Sequence, residues 1–160
     1  MPRSLPKPKV STAVSNPFAE VFSSAALAHS IVAAVVHEAQ KRSVRVCVAV
    51  VDSGGHLLAF LRMDGLPFHL ISIAQDKAVT SASFGVPTSE LAFGMARHSK
   101  AVVDFFRARE HLVLLGGGVP LRVGGQLIGA IGVSGSSEAE DEACALAAAK
   151  ACLDEVIDSK

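Results

Sequence analysis

The chain has 160 residues, of which half are apolar, so it is long enough for one domain with a sizeable core. Lysine plus arginine and aspartate plus glutamate number 15 each, so no overall field favours nucleic acid or an anionic membrane, and we expect neither as a partner. No apolar run reaches the ~18–20 residues that a membrane-spanning helix needs.

The N-terminal stretch and the cysteines both indicate a cytoplasmic protein. Residues 1–17 contain four prolines and no long apolar core, which predicts a flexible or extended arm rather than a signal peptide. Cys47 lies in an apolar run, and Cys144 and Cys152 are too far apart in a predicted helix to form a disulfide within it. We therefore expect all three cysteines to be reduced and buried.

Residues 18–160 read as a single domain of mixed helices and strands. Helical spacing of apolar residues predicts helices at 18–42, 67–84, 88–95 and 138–157, with a partly helical segment at 97–111. Apolar runs bounded by glycine predict strands at 46–51, 56–61, 112–115, 119–123 and 126–133. The turns at 52–55 and 124–125 are tight hairpins, so the sheet is expected to be antiparallel. The pattern thus predicts an α+β fold with helices packed on a five-stranded antiparallel sheet.

A compact polar group follows the first hairpin. Arg62 and Asp64 stand two residues apart where the second strand ends, beside Gly65. A cation and an anion at a strand end indicate a candidate site. The alternative is a surface ion pair, worth about 0–1 kcal/mol.

The predicted helix at 67–84 carries a lysine on a mostly apolar face. Lys77, Thr80 and Phe84 share this face with an isoleucine, whereas Asp76 falls on another face that we expect to be solvated. Lys77 is either partly buried and poised for chemistry, or it extends its ammonium group to water.

Two glycine-rich loops invite a phosphate-binding interpretation that the spacing does not support. The triplet at 116–118 leads into a strand, whereas the dinucleotide fingerprint needs a helix directly after it. The segment GVSGS at 132–136 leads into a helix, where Ser134 could help to hold an anion. Four acidic residues crowd the same turn, however, and either complement the helix dipole or include a base or metal ligand.

Three segments of the chain, taken together, resemble the GlcG/HbpS-like haem-binding family: AVVDSGGHLLAFLRMDG, DKAVTSASFGVPT and LGGGVPLRVGGQLIGAIGVSGSSEAEDE. The same domain is found at the C-terminus of PduO-type corrinoid adenosyltransferases. The likeness covers nearly the whole of residues 18–157. It implies a profilin-like α/β sandwich that assembles into homo-oligomers, from tetramers to octamers. Several members bind or degrade haem, whereas the roles of others are unclear, so family membership fixes the fold better than the function.

The resemblance leads to a first hypothesis, a binding protein. An oligomer would hold haem or a related flat ligand in an apolar pocket between subunits, with slow degradation of the ligand as an additional activity. The family motif supplies no histidine that serves as a general iron ligand, so the candidates come from this chain: His69, then His98, then His29.

The second hypothesis is an enzyme, because some similar single-domain proteins are lyases or deaminases of nitroaromatic breakdown. It would need no metal and would release ammonia from a small aromatic acid such as hydroxylaminobenzoate. Lys77, Asp64 and Glu142 would move protons. The predicted ligand-binding residues are Arg62, His69, Thr80, Phe84, Gly117, Gly118 and Ser134. This hypothesis predicts that Lys77→Ala abolishes turnover, and a scaffold subunit without chemistry is the third possibility.

Overall fold

The structure is a computed structural model that describes residues 25–158, with side chains described up to residue 153. The predicted arm at 1–17 and the beginning of the first predicted helix lie outside the described residues. The elements, in chain order, are α1 (Ala25–Lys41), β1 (Cys47–Asp52), β2 (Leu57–Arg62), α2 (His69–Phe84), α3 (Thr88–Met95), α4 (Lys100–Arg107), β3 (Gly118–Val123), β4 (Gln126–Ser134) and α5 (Glu138–Asp158). No helix within the described range is both long and apolar enough to cross a membrane.

The four strands form one antiparallel sheet in the order β2-β1-β4-β3, which confirms the α+β class and both predicted hairpins. The pairing register shifts at two places, between Val50 and Val51 where β1 meets β2, and between Leu121 and Arg122 where β3 meets β4. Both irregularities therefore lie on the pairings that join an edge strand to the centre of the sheet.

The sheet lies between two layers of helix. Successive residues of β1 point to opposite faces of the sheet and so contact both layers. Val48 and Val50 belong to a core that includes residues of α1 and α5. Cys47, Ala49 and Val51 belong to a second, smaller core formed with alanines of α2. The continuous apolar run of β1 is therefore explained by burial on both faces.

The predicted fifth strand, at 112–115, was wrong: no strand forms there, and the sheet has four strands. The backbone of this segment is bound by threonine hydroxyl groups instead of by a neighbouring strand. Thr80 Oγ1 accepts a hydrogen bond from Val113 N at 3.0 Å, and Thr88 Oγ1 donates to the Leu115 carbonyl at 2.6 Å. Two backbone groups of this apolar run thus bind side chains and not a neighbouring strand.

Helix α2 approaches β4 so closely that one strand position must be glycine. A Cβ atom built on Gly132 would lie 1.9 Å from the Ala74 carbonyl oxygen and 2.5 Å from Ala78 N. These are backbone atoms of α2, so no side-chain rearrangement can make room.

Gly132→Ala is therefore expected to lower the free energy of unfolding by about 1–3 kcal/mol or more, the usual cost of overpacking a core. Gly94→Ala is the matched control, because a Cβ at Gly94 meets nothing within 4 Å. Since Gly94 lies in α3, alanine there should stabilise the protein by about 0.5–1 kcal/mol. Urea unfolding of both variants measures the difference. Wild-type stability in Gly132→Ala would contradict the close contact of α2 with β4.

The three cysteines are buried and form no disulfide, as the sequence predicted. Burial raises the pKa of the Cys47 thiol and raises that of Cys144 to about 11. Because a thiol stays protonated below its pKa, the Cys144 thiol is almost entirely protonated at pH 8.

We expect native protein at pH 8 to resist alkylation at all three cysteines, since the thiolate is the reactive form and these side chains are buried. Mass spectrometry after iodoacetamide treatment should show no modification in the absence of denaturant. The same treatment in urea should modify all three. Rapid native labelling of Cys144 would contradict its burial.

Candidate functional site

A buried ion pair joins three elements at one point. Lys77 in α2 and Asp141 in α5 have side chains that are 3% and 2% exposed, and their Nζ and Oδ2 atoms lie 2.9 Å apart. The Lys77 ammonium also donates a hydrogen bond to the Val133 carbonyl of β4, at 2.8 Å. The lysine is thus held by a carboxylate and a carbonyl. Of the two alternatives that the sequence left open for Lys77, the structure shows burial and not extension to water.

The second carboxylate oxygen of Asp141 is also occupied. Asp141 Oδ1 accepts a hydrogen bond from Ser136 N at 3.0 Å, in the loop that leads into α5. Charge-assisted hydrogen bonds of this kind offset part of the cost of burying both ions. Among the described residues, no buried side-chain nitrogen or oxygen lacks a partner.

Two predicted glycines lie directly against this pair. Gly117 has a φ of +117°, and a Cβ built there would lie 2.8 Å from Lys77 Nζ and 2.6 Å from the Val133 carbonyl oxygen. A Cβ on Gly118 would lie 2.5 Å from the Lys77 carbonyl oxygen. The structure therefore brings Lys77, Gly117 and Gly118 together, with buried Ser134 next in the chain to Val133.

Thr80 and Phe84 have separate roles farther along α2. The Thr80 hydroxyl donates to the His111 carbonyl at 3.2 Å and so fastens the loop before β3. The Phe84 ring is 40% exposed and packs against Phe106 of α4, with centroids 5.9 Å apart.

Arg62, Asp64 and His69 are all exposed and make no ion pair with one another. Arg62 Nη1 donates to the Leu66 carbonyl at 2.9 Å, and the Asp64 backbone carbonyl accepts from Arg45 at 3.2 Å. The alternative surface ion pair between Arg62 and Asp64 is therefore not formed. These residues share no hydrogen bond with the buried Lys77 cluster within the described part of the chain.

Glu142 lines a shallow groove of about 320 Å³ beside the start of α5, together with Ser89, Gly116, Glu138 and Leu146. Its Oε1 accepts from Ser89 Oγ at 2.8 Å, and Glu138 Oε2 accepts from Gly116 N at 2.6 Å. Both carboxylates thus fasten neighbouring segments. In residues 25–153, no group of three or more histidine, cysteine or acidic side chains is arranged to hold a metal ion.

A second cavity of about 320 Å³ contains a histidine–aspartate pair that the sequence did not predict. Its lining residues are Val51, Gly55, Leu57, Gln75, Asp76, Val79 and His111, and we call it the His111 cavity. His111 Nδ1 lies 2.9 Å from Asp76 Oδ1, and this hydrogen bond, with the charge of Asp76, raises the pKa of His111. The two residues are 35 positions apart, so no local spacing could have revealed the pair.

All six histidines are exposed, including the predicted ligands His69, His98 and His29. Within the described residues, two histidines bond to carboxylates: His111 to Asp76, and His56 to Asp52 at 3.2 Å. The Asp52 oxygen that His56 contacts already accepts from the backbone N–H groups of the turn. The main role of that carboxylate is therefore to bind the backbone of the turn.

Comparisons with known proteins agree on one family. The family model described as haem degrading protein HbpS-like matches residues 24–150. The GlcG protein of Escherichia coli is 42% identical over 115 residues, which cover 72% of this chain and 83% of GlcG. HbpS of Streptomyces reticuli, solved as a double mutant, has a TM-score of 0.72 at 34% identity and covers 80% of this chain and 85% of its own. A structure described as a PduOC:heme complex has a TM-score of 0.73 at 29% identity, over 80% of this chain and 93% of that one.

Lys77→Met is expected to lower the free energy of unfolding by about 3–5 kcal/mol, because it leaves the Asp141 carboxylate buried without its cation. The double variant Lys77→Met with Asp141→Leu should lose less than the sum of the two single variants. Urea unfolding of all three measures the coupling between the side chains.

Lys100→Met is the matched control, since Lys100 pairs with Asp104 while its side chain is 89% exposed. Its stability should change by no more than about 1 kcal/mol. A similar small change in Lys77→Met would show that the buried pair does not hold the fold together.

Proposed function

Because the chain belongs to the haem degrading protein HbpS-like family, we propose that it binds haem or a related flat ligand. The likeness to a PduOC:heme complex supports the same class of ligand. Binding is the main activity that we propose. We propose slow degradation of the bound haem as a second activity, which a haemin titration followed by absorbance would also detect.

The observation that carries this proposal is the amount of apolar surface left exposed beside cations. Phe68, Phe93 and Phe105 are 85%, 67% and 55% exposed. The guanidinium carbon of Arg97 lies 4.9 Å from the centroid of the Phe93 ring, and that of Arg109 lies 4.4 Å from the Phe105 ring. Haem is an apolar plate with two carboxylates, so apolar surface rimmed by arginine suits its chemistry.

We also propose that the chain works as a homo-oligomer of between four and eight copies. Exposed apolar surface of this kind is typical of surfaces that another molecule covers. Helix α4 contains no buried residue, although two of its eight residues are phenylalanine and two are valine. A second copy would cover such a helix and would provide an apolar pocket between subunits.

The lyase alternative finds less support. The comparisons do not point to it, and the three predicted proton-transfer residues are not gathered at one place. Lys77 is buried in its ion pair, Asp64 is exposed, and Glu142 lies in the groove beside α5. A base must reach the proton that it removes, and Lys77 has no such access in this geometry.

Titration of the purified protein with haemin is expected to give a saturable, sharp shift of the Soret band at a defined haem-to-subunit ratio. Arg97→Ala with Arg109→Ala should weaken binding, because it removes the cations that would pair with the propionates. The matched control is Lys150→Ala, which removes an exposed cation on α5 without a neighbouring phenylalanine contact.

Weak, non-saturating binding would contradict the haem proposal. The release of ammonia from hydroxylaminobenzoate would then be assayed. The mass of the titrated species, measured by light scattering, tests the oligomer separately. A monomeric mass would contradict the proposed assembly without deciding the ligand.

A further inference from the structure

We infer that His111, oriented by Asp76, is the residue that ligates the haem iron, with an edge of the porphyrin resting on the His111 cavity. The inference rests on the proposed haem binding and names an iron ligand for it, at a cavity that Arg97 and Arg109 do not line. It replaces the three histidines predicted from the sequence with one that the sequence did not single out.

The hydrogen bond to Asp76 prepares one ring nitrogen of His111 for a metal. With Nδ1 held 2.9 Å from a carboxylate oxygen, the neutral ring carries its proton on Nδ1 and leaves a lone pair on Nε2. No group of the described residues hydrogen-bonds to Nε2, and the His111 side chain is 72% exposed. A carboxylate behind a histidine fixes its orientation and increases its basicity, as in many metal sites. The donor set therefore fits a haem iron.

The backbone holds this imidazole in place. His111 has a φ of +62°, a left-handed conformation that is uncommon for residues other than glycine. Its carbonyl accepts a hydrogen bond from Thr80 Oγ1 at 3.2 Å, and Thr80 Oγ1 in turn accepts one from Val113 N at 3.0 Å. Because Thr80 is fully buried, the strained loop is tied to the core of the protein. Strain of this kind persists where surrounding structure enforces it, and it is concentrated at functional sites.

The remaining lining of the cavity is mostly apolar. Val51, Leu57 and Val79 supply aliphatic surface, Gly55 supplies backbone without a side chain, and Gln75 adds one polar side chain. Leu57 is 49% exposed, so part of this surface is uncovered in the single chain. A second copy of the chain could cover this part of the surface, as the proposed site between subunits requires.

The other histidines lack this combination. His29, His37, His69 and His98 make no hydrogen bond to a carboxylate in the described structure. His56 shares its Asp52 oxygen with two backbone N–H groups of a turn. Among these side chains, His111 therefore combines a dedicated carboxylate with an adjoining apolar cavity.

The test is a haemin titration of the full chain and of His111→Gly, followed by absorbance and by electron paramagnetic resonance of the ferric complex. Glycine suits the positive φ, so this variant should fold, and circular dichroism checks that it does. We expect its affinity for haemin to fall at least tenfold and the histidine-ligated spectrum to disappear. Added imidazole should restore that spectrum.

Asp76→Asn tests the orienting role, because loss of a carboxylate behind a metal-bound histidine typically costs about 10–100-fold in affinity. His69→Ala, His98→Ala and His29→Ala are the matched controls and should bind as the wild type does. Sharp binding by the wild type with an unchanged spectrum in His111→Gly would overturn the inference and leave haem binding intact. Failure of the wild type to bind haemin would overturn both.

Discussion

The structure depends on one buried contact between opposite charges. Lys77 and Asp141 connect α2 with α5, and the lysine also binds the last strand through the Val133 carbonyl. Breaking such a pair leaves a charge in the interior, which costs far more than the intact pair contributes. The glycines at 117 and 118 follow from this contact, because a side chain at either would displace the lysine or its helix.

Most of the fold could be predicted because burial imposes a period on the sequence. The residues of β1 are covered on both faces and α2 is covered on one, so the predicted boundaries of both elements agree with the observed ones within about two residues. The prediction of a strand at 112–115 failed for a physical reason that the spacing of apolar residues does not reflect. Its backbone is bound by the hydroxyl groups of Thr80 and Thr88, which lie far away in the sequence.

The candidate site was predicted less completely, because its important contacts are long-range. Sequence motifs selected Lys77, Gly117 and Gly118, and the structure brings them together. Asp141 is one acid among four in a helical turn, and no sequence pattern places it beside its lysine partner 64 residues away. The sequence does not predict the pairing of His111 with Asp76, because helical spacing places Asp76 on a face expected to be solvated.

The two register shifts described in the sheet have a consequence for how copies of the chain can meet. Each shift lies on the pairing of an edge strand, β2 or β3, with its inner neighbour. Bulges of this kind increase the local twist and make an edge a poor template for another strand. Growth into fibrils by edge-to-edge strand addition is thereby disfavoured, so copies of the chain would have to meet through side-chain surfaces instead.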